Sequence, residues 1–379
     1  MTDLLTVKTL KSRAIAATGL DDFGDIPFED ALDALIRSLE RDANLDELRI
    51  AGAAQMITAT LSKRLKLVAD RRAYPEIARQ EIKAPIFIVG LPRTGSTNLH
   101  GLMAQIEGVR APRWWEMSRP SPPPETATYA TDPRIAEVHE AEAAGKSEEL
   151  KKRHPMDANR PEQCQSLNDF AFMNWSLMAP FKAPSYRDWL LAADHTPSYR
   201  AHKQTLQHLQ SRHPGQWVLK YPKHILALDA LHAVYPDARL IWTHRDPVKV
   251  LPSVVSLIGA FRSASPDYDP KELGRSWVAF EELGLWRGLG MRDSLFKPEN
   301  IYDMHYRDVL SDPVTAIAKA LDHFGMSLSN ASADNIRAFA AENTKDKHGA
   351  HHYTAEEYGL SEAKLKAIFK DYVDRFGVA

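Results

Sequence analysis

Apolar positions recur at helical spacing through residues 1–83, most clearly at Phe28, Ala31, Leu32, Leu35, Ile36 and Leu39, and predict an N-terminal helical region. From Ala84 the pattern changes. The short apolar run Ile86-Phe87-Ile88-Val89 leads directly into Gly90-Leu91-Pro92-Arg93-Thr94-Gly95, which reads as a buried strand entering a loop. Trp217-Val218-Leu219 and Ala238-Arg239-Leu240-Ile241-Trp242-Thr243 have similar β-type composition, with a helical pattern from Ile225 to Val234 between them. Strand, helix, strand predicts a parallel sheet, so residues 84–379 are expected to form an α/β domain with a central parallel β-sheet flanked by helices.

Ser118 to Pro124 is too rich in proline for regular helix and reads as a loop, whereas residues 134–152 have the Ala, Glu and Lys content of an exposed helix. Phe170, Phe172, Met173, Trp175, Met178, Phe181 and Trp189 then cluster, and with Trp114 and Trp115 they are candidates either for core packing or for the wall of an apolar pocket. The last seventy residues return to helical spacing, with Val314, Ile317, Ala318, Leu321 and Phe324 on one face and Leu365, Ile368, Phe369, Tyr372 and Phe376 on another.

Composition narrows the classes further. The 379 residues are 44% hydrophobic and 26% charged, and no stretch reaches the roughly eighteen apolar residues of an integral membrane segment. The N-terminus, Met1-Thr2-Asp3-Leu4-Leu5, lacks a basic region followed by an apolar run, so a cytoplasmic protein is expected. A net charge of −2 gives no general attraction to nucleic acid, and any anion site must be local. The lone Cys164 excludes an internal disulfide and a thiolate cage. Oligomeric state leaves no mark on the sequence.

The most informative segment is Gly90 to Thr97, set between a strand and the helical pattern Asn98-Leu99-His100-Gly101-Leu102-Met103. Such a loop turns backbone N–H groups inward, and the following helix adds its positive end, while Thr94, Ser96 and Thr97 offer hydroxyls. The ATP-binding form of this loop is G-x-x-x-x-G-K-[ST], and here Ser96 occupies the lysine position. A donor that needs no metal is therefore favoured over Mg-ATP, although Asp246 in His244-Arg245-Asp246-Pro247 keeps a metal open.

On these residues the chain resembles the sulfotransferases that use 3′-phosphoadenosine-5′-phosphosulfate (PAPS), with Arg93 where many members have lysine. The second motif, Arg245 at a strand end and Ser253 on the next helix, resembles that family's 3′-phosphate site. An arginine fork and a hydroxyl two turns along a helix suit that group. The resemblance spans roughly residues 84–353. It implies a P-loop-like sulfotransferase fold, PAPS as co-substrate, no metal, and transfer of a sulfuryl group to a hydroxyl of a small apolar acceptor. Arg93, Thr94, Gly95, Ser96, Thr97, Arg245 and Ser253 would hold the donor.

Transfer needs a base for the acceptor proton and positive charge at the leaving oxygen. His224, in Lys220-Tyr221-Pro222-Lys223-His224, lies ahead of Arg245 by about the family's interval and is the first candidate for the base. Lys220, Lys223 and Arg93 are candidates for the leaving oxygen. Glu162 and His154 remain open as alternative bases or as groups that orient His224. Farther on, His348, His351 and His352 crowd together without a recognisable zinc pattern. Their stretch is similar in place to the family's C-terminal donor loop, which adds Lys347, His348 and Gly349 as donor candidates. The competing functions are an ATP-dependent P-loop kinase, opposed by Ser96, and a nucleotide-binding module without chemistry, opposed by the basic cluster around His224.

Overall fold

A computed structural model describes residues 4–145, 157–263, 265–343 and 354–378. Five parallel strands form the sheet: β1 (Ile86–Gly90), β2 (Val109–Arg110), β3 (Gln216–Lys220), β4 (Arg239–His244) and β5 (Ile301–His305), in the order β2-β3-β1-β4-β5. The chain leaves the central β1 towards one edge and later crosses to the other. That reversal opens a crevice at the C-terminal strand ends, where α/β sheets bind ligands. Ile88 pairs with Lys220 on one side and Ile241 on the other, and Gly90 pairs with Thr243, so the three motif-bearing strands end side by side.

Buried on both faces, the central strands read as continuous apolar runs. Ile86, Ile88, Val218 and Ile241 pack with Leu99, Leu102 and Met103 of the helix Ser96–Met103 and with Ile317 and Leu321 of the helix Pro313–His323. Phe87, Val89, Leu219 and Trp242 pack on the opposite side. Their cluster runs without a break into the N-terminal helices α1 (Val7–Thr18), α2 (Glu29–Asp42) and α3 (Glu47–Ala73). Phe28, Ala31, Leu32, Leu35, Ile36 and Leu39 are the buried stripe of α2 that their spacing predicts. The described N-terminal helices thus share one core cluster with the sheet, and a 3-10 turn, Pro75–Ile77, lies between α3 and β1.

Other expectations are revised. Between β3 and β4 the helix is Leu228–Val234, preceded by a separate 3-10 turn, Pro222–Leu226. Ala227, at φ −146° and ψ 46°, breaks the two apart, and Ile225 packs so closely on the helix Pro270–Leu295 that a Cβ at Gly288 would lie 2.7 Å from it. No apolar run announced β2 or β5: β2 has two residues, and of β5 only Met304 is fully buried. Phe170, Phe172, Met173, Trp175, Met178 and Phe181 belong to the core, with Trp189 packed against it, and Trp115 is buried in a smaller cluster with Val138 and Ala158. The exposed helix is Pro133–Gly145, and the rest of its predicted span to 152 lies outside the described residues. No helix among the described residues is long and apolar enough to cross a membrane.

Candidate active site

β1 ends at Gly90, and the chain turns through Arg93 (φ 65°) and Gly95 (φ 84°) into the helix that starts at Ser96. Gly95 has two reasons to lack a side chain: the left-handed backbone and the ring of Tyr306, which a Cβ would meet at 2.4 Å. Thr94 donates to the Leu91 carbonyl at 2.8 Å and shares a 2.6 Å hydrogen bond with the Thr243 hydroxyl. Its hydroxyl is therefore spent on holding the loop to β4 rather than offered to an oxyanion. Arg93 and Thr97 are exposed, whereas Ser96 is buried in the first turn of the helix.

The second motif meets the first directly. Asp246 caps the helix Pro247–Arg262 by accepting from Val248 N–H, which sets Ser253 beside the loop. Arg93 Nε then donates to Ser253 Oγ at 3.1 Å, and Arg245 Nη1 donates to the Arg93 carbonyl at 2.9 Å. The Arg245 guanidinium stands 4.3 Å from the centre of the Tyr306 ring, which so touches both motifs. Next to them a cavity of about 270 Å³ is lined by Arg245, Lys249, Arg307, His305, Tyr306 and Asp246. The strand end beneath is fixed by a chain of hydrogen bonds: Tyr372 hydroxyl to His244 Nδ1 at 2.8 Å, His244 Nε2 to Asp303 at 2.7 Å, and both Asp303 oxygens to Arg292. Neither Tyr306 nor this chain was foreseen, because both depend on the unannounced β5.

Lys220 closes β3 on the Ser96–Met103 side and donates to Thr97 Oγ1 at 3.2 Å. It is 2% exposed, and burial lowers its pKa to about 8 against the opposing pull of the Glu162 carboxylate. Arg160 and Arg93 act on it in the same direction as burial, which places Glu162, Arg160 and Arg93 within electrostatic reach of Lys220. Glu162 is partly exposed, and one of its oxygens accepts from the Gln163 N–H at 2.7 Å.

His224 is elsewhere. It is 1% exposed, with the Tyr199 hydroxyl 2.7 Å from Nδ1 and Cys164 Sγ 3.2 Å from Nε2, and Phe87, Tyr221 and His202 pack around the ring. Burial holds its pKa well below the ordinary 6.5. An imidazole so enclosed, with both nitrogens engaged, does not suit a base for an incoming hydroxyl. Lys223 likewise turns from the loop and makes a 2.5 Å ion pair with the fully buried Glu281. His154, Lys347, His348, Gly349, His351 and His352 lie outside the described residues.

The site therefore brings together the two motifs, the buried Lys220 beside Thr97 and the Glu162 carboxylate within electrostatic reach of that lysine. The profile of the sulfotransferase family matches residues 85–330. Omega-hydroxy-beta-dihydromenaquinone-9 sulfotransferase Stf3 of Mycobacterium tuberculosis is 24% identical over 331 residues, covering 85% of this chain and 81% of that protein. Sulfotransferase STF9 from Mycobacterium avium superposes with a TM-score of 0.92 at 27% identity, over 100% of this chain and 98% of that one. STF1 from Mycobacterium tuberculosis H37Rv superposes with a TM-score of 0.86 at 30% identity, over 98% of this chain and all of that one. With a family match over most of its length, and with relatives that align from end to end, the chain belongs to the sulfotransferase family and is an enzyme that transfers a sulfuryl group from a sulfate donor to a hydroxyl.

Proposed function

We propose that the donor is PAPS, held by Arg93, Gly95, Ser96 and Thr97 at its 5′-phosphosulfate and by Arg245 and Ser253 at its 3′-phosphate. The observation that carries this reading is the direct contact between the two motifs, Arg93 to Ser253 and Arg245 to the Arg93 carbonyl. One nucleotide can span two cradles that touch. Lys220 and Arg93 supply positive charge where the bridging oxygen of the donor leaves. Glu162 takes the acceptor proton as the acceptor oxygen attacks sulfur and the sulfur–oxygen bond to the donor phosphate breaks, so the product nucleotide departs with the charge that Lys220 balances. The support for Glu162 over His224 is access: the carboxylate is partly exposed and the imidazole is enclosed.

The acceptor is a hydroxyl on a small apolar molecule, a reading supported by the hydroxylated menaquinone named for the Stf3 relative. The test is transfer of labelled sulfate from PAPS to a panel of isoprenoid and alkyl alcohols, phenols and polar sugars. Product with the apolar alcohols supports the reading, and product only with polar acceptors overturns the acceptor class. With an acceptor found, Glu162→Gln should cut kcat by about 10²- to 10⁴-fold while leaving PAPS affinity within about twofold. A fully active Glu162→Gln refutes the base assignment.

A further inference from the structure

Behind β3, next to Lys220, whose charge and backbone both act on the Cys164 thiol, three residues far apart in sequence converge. Cys164 opens the turn Cys164–Leu167, His202 lies in the helix Thr196–Gln210, and His224 lies in the turn Pro222–Leu226. All three are buried, and one ligand atom of each lies within 4.8 Å of those of the other two. The imidazoles are held alike: the Tyr199 hydroxyl is 2.7 Å from His224 Nδ1, and the Tyr235 hydroxyl is 2.8 Å from His202 Nδ1. With each Nδ1 engaged, the nitrogen left to each ring is Nε2. That of His224 is 3.2 Å from Cys164 Sγ, and that of His202 has no hydrogen-bond partner although it is wholly buried.

We propose that Cys164, His202 and His224 bind a thiophilic d¹⁰ metal ion, Zn²⁺ or Cu⁺, as a structural site beside the transfer centre. Three observations converge on it. An unpartnered buried ring nitrogen is unfavourable, and a metal would satisfy it. In the tautomer that donates Nδ1–H to these hydroxyls, each ring keeps an Nε2 lone pair for a metal, and an outer-shell partner on the other nitrogen is what metal-binding histidines use. The donor set, one sulfur and two imidazoles, suits these ions and not Mg²⁺ or Ca²⁺. Tetrahedral zinc with ordinary bond lengths spaces sulfur and nitrogen ligands ~3.6 Å apart, so the 3.2 Å separation of Sγ and Nε2 needs to open by only a few tenths of an ångström. Three ligands complete a trigonal Cu⁺ site, whereas Zn²⁺ would take a water as its fourth ligand. Binding displaces the thiol proton to solvent and changes no oxidation state. The sequence analysis expects no metal, because the donor needs none and no local zinc pattern is present, whereas these three residues are brought together only by the fold. Because Cys164 follows Glu162 by two residues, the ion would also anchor the segment that carries the carboxylate.

The experiment is elemental analysis of the full chain purified without affinity metal from zinc- and copper-supplemented cultures, beside Cys164→Ser and His202→Gln. Circular dichroism and the rise in Tm caused by the product nucleotide verify that each variant is folded. About one zinc or one copper per chain is expected, falling about tenfold or more in both variants, and which metal is found identifies the ion. A second arm adds Co²⁺ to chelator-treated protein, where a thiolate-to-cobalt absorption band is expected and should vanish in Cys164→Ser. Absence of stoichiometric metal together with no cobalt band overturns the proposal. So does a full metal complement in folded Cys164→Ser, which would put the ion elsewhere.

Discussion

Lys223 was a candidate for the leaving oxygen, and its pairing with Glu281 gives a sharper expectation. The Lys223 side chain is 11% exposed and that of Glu281 is 0% exposed, their charged atoms are 2.5 Å apart, and the second Glu281 oxygen has no hydrogen-bond partner. Removing one partner strands the other in the core, which costs about 3–5 kcal/mol. At roughly 2.1 cal/mol/K per residue, unfolding of 379 residues carries an entropy of about 0.8 kcal/mol/K, so either single change should lower Tm by about 4–6 °C. Burial lowers the Lys223 pKa and the Glu281 charge opposes this, so removing Glu281 favours the neutral lysine, and Glu281→Leu should fall at the lower end of that range. Lys223→Met with Glu281→Leu removes both charges and should recover most of the loss, because replacing a buried pair by apolar groups is often near neutral. Calorimetry on the two singles and the double closes the cycle. Additive losses would refute the coupling. Turnover decides the rest: a stable double variant that has lost sulfuryl transfer by about 10²-fold or more, with PAPS still bound, would return Lys223 to the chemistry.

Arg245→Ala should weaken nucleotides that carry a 3′-phosphate by about 2–3 kcal/mol, roughly 30- to 150-fold, and leave those without it nearly unchanged in competitive binding. Gly95→Ala should abolish the Tm rise given by the product nucleotide and lower the Tm of the free protein, since its methyl group would meet the Tyr306 ring at 2.4 Å. Asp303, whose carboxyl is held well below the ordinary range by hydrogen bonds to His244 and Arg292 that outweigh burial, stabilises the fold above about pH 4 and loses that contribution as pH falls. Asp303→Asn should therefore lower Tm at pH 7, with a gap from the parent protein that narrows on acidification below pH 4.

The central sheet was legible because β1, β3 and β4 are buried on both faces and so appear as unbroken apolar runs. The phosphate loop was legible because its glycines and hydroxyls are local in sequence. What escaped depends on contacts between distant segments. β5 shows too little apolar character to be noticed, and with it went Tyr306 and the Asp303 chain behind Arg245. His224 has a plausible position between the motifs, but whether a side chain after a strand end turns to the crevice or to the core is set by the turn Pro222–Leu226, which has no clear signature. The same turn directs Lys223 to Glu281, fifty-eight residues away in sequence. Thr94 illustrates a smaller loss: its hydroxyl is consumed by Thr243, a partner no local reading would supply.

Arg64 of α3 sends its guanidinium to the carbonyls of Phe23, Ile26 and Phe170, tying the N-terminal helices to the segment that follows Glu162 and Cys164. The family profile starts at residue 85 and leaves those helices out. The unit that can be exchanged between relatives is therefore larger than the unit by which they are recognised. A chimera that grafts the segment around Phe170 from another sulfotransferase onto this chain must carry its matching helices along, or the graft loses the side chain that pins its backbone.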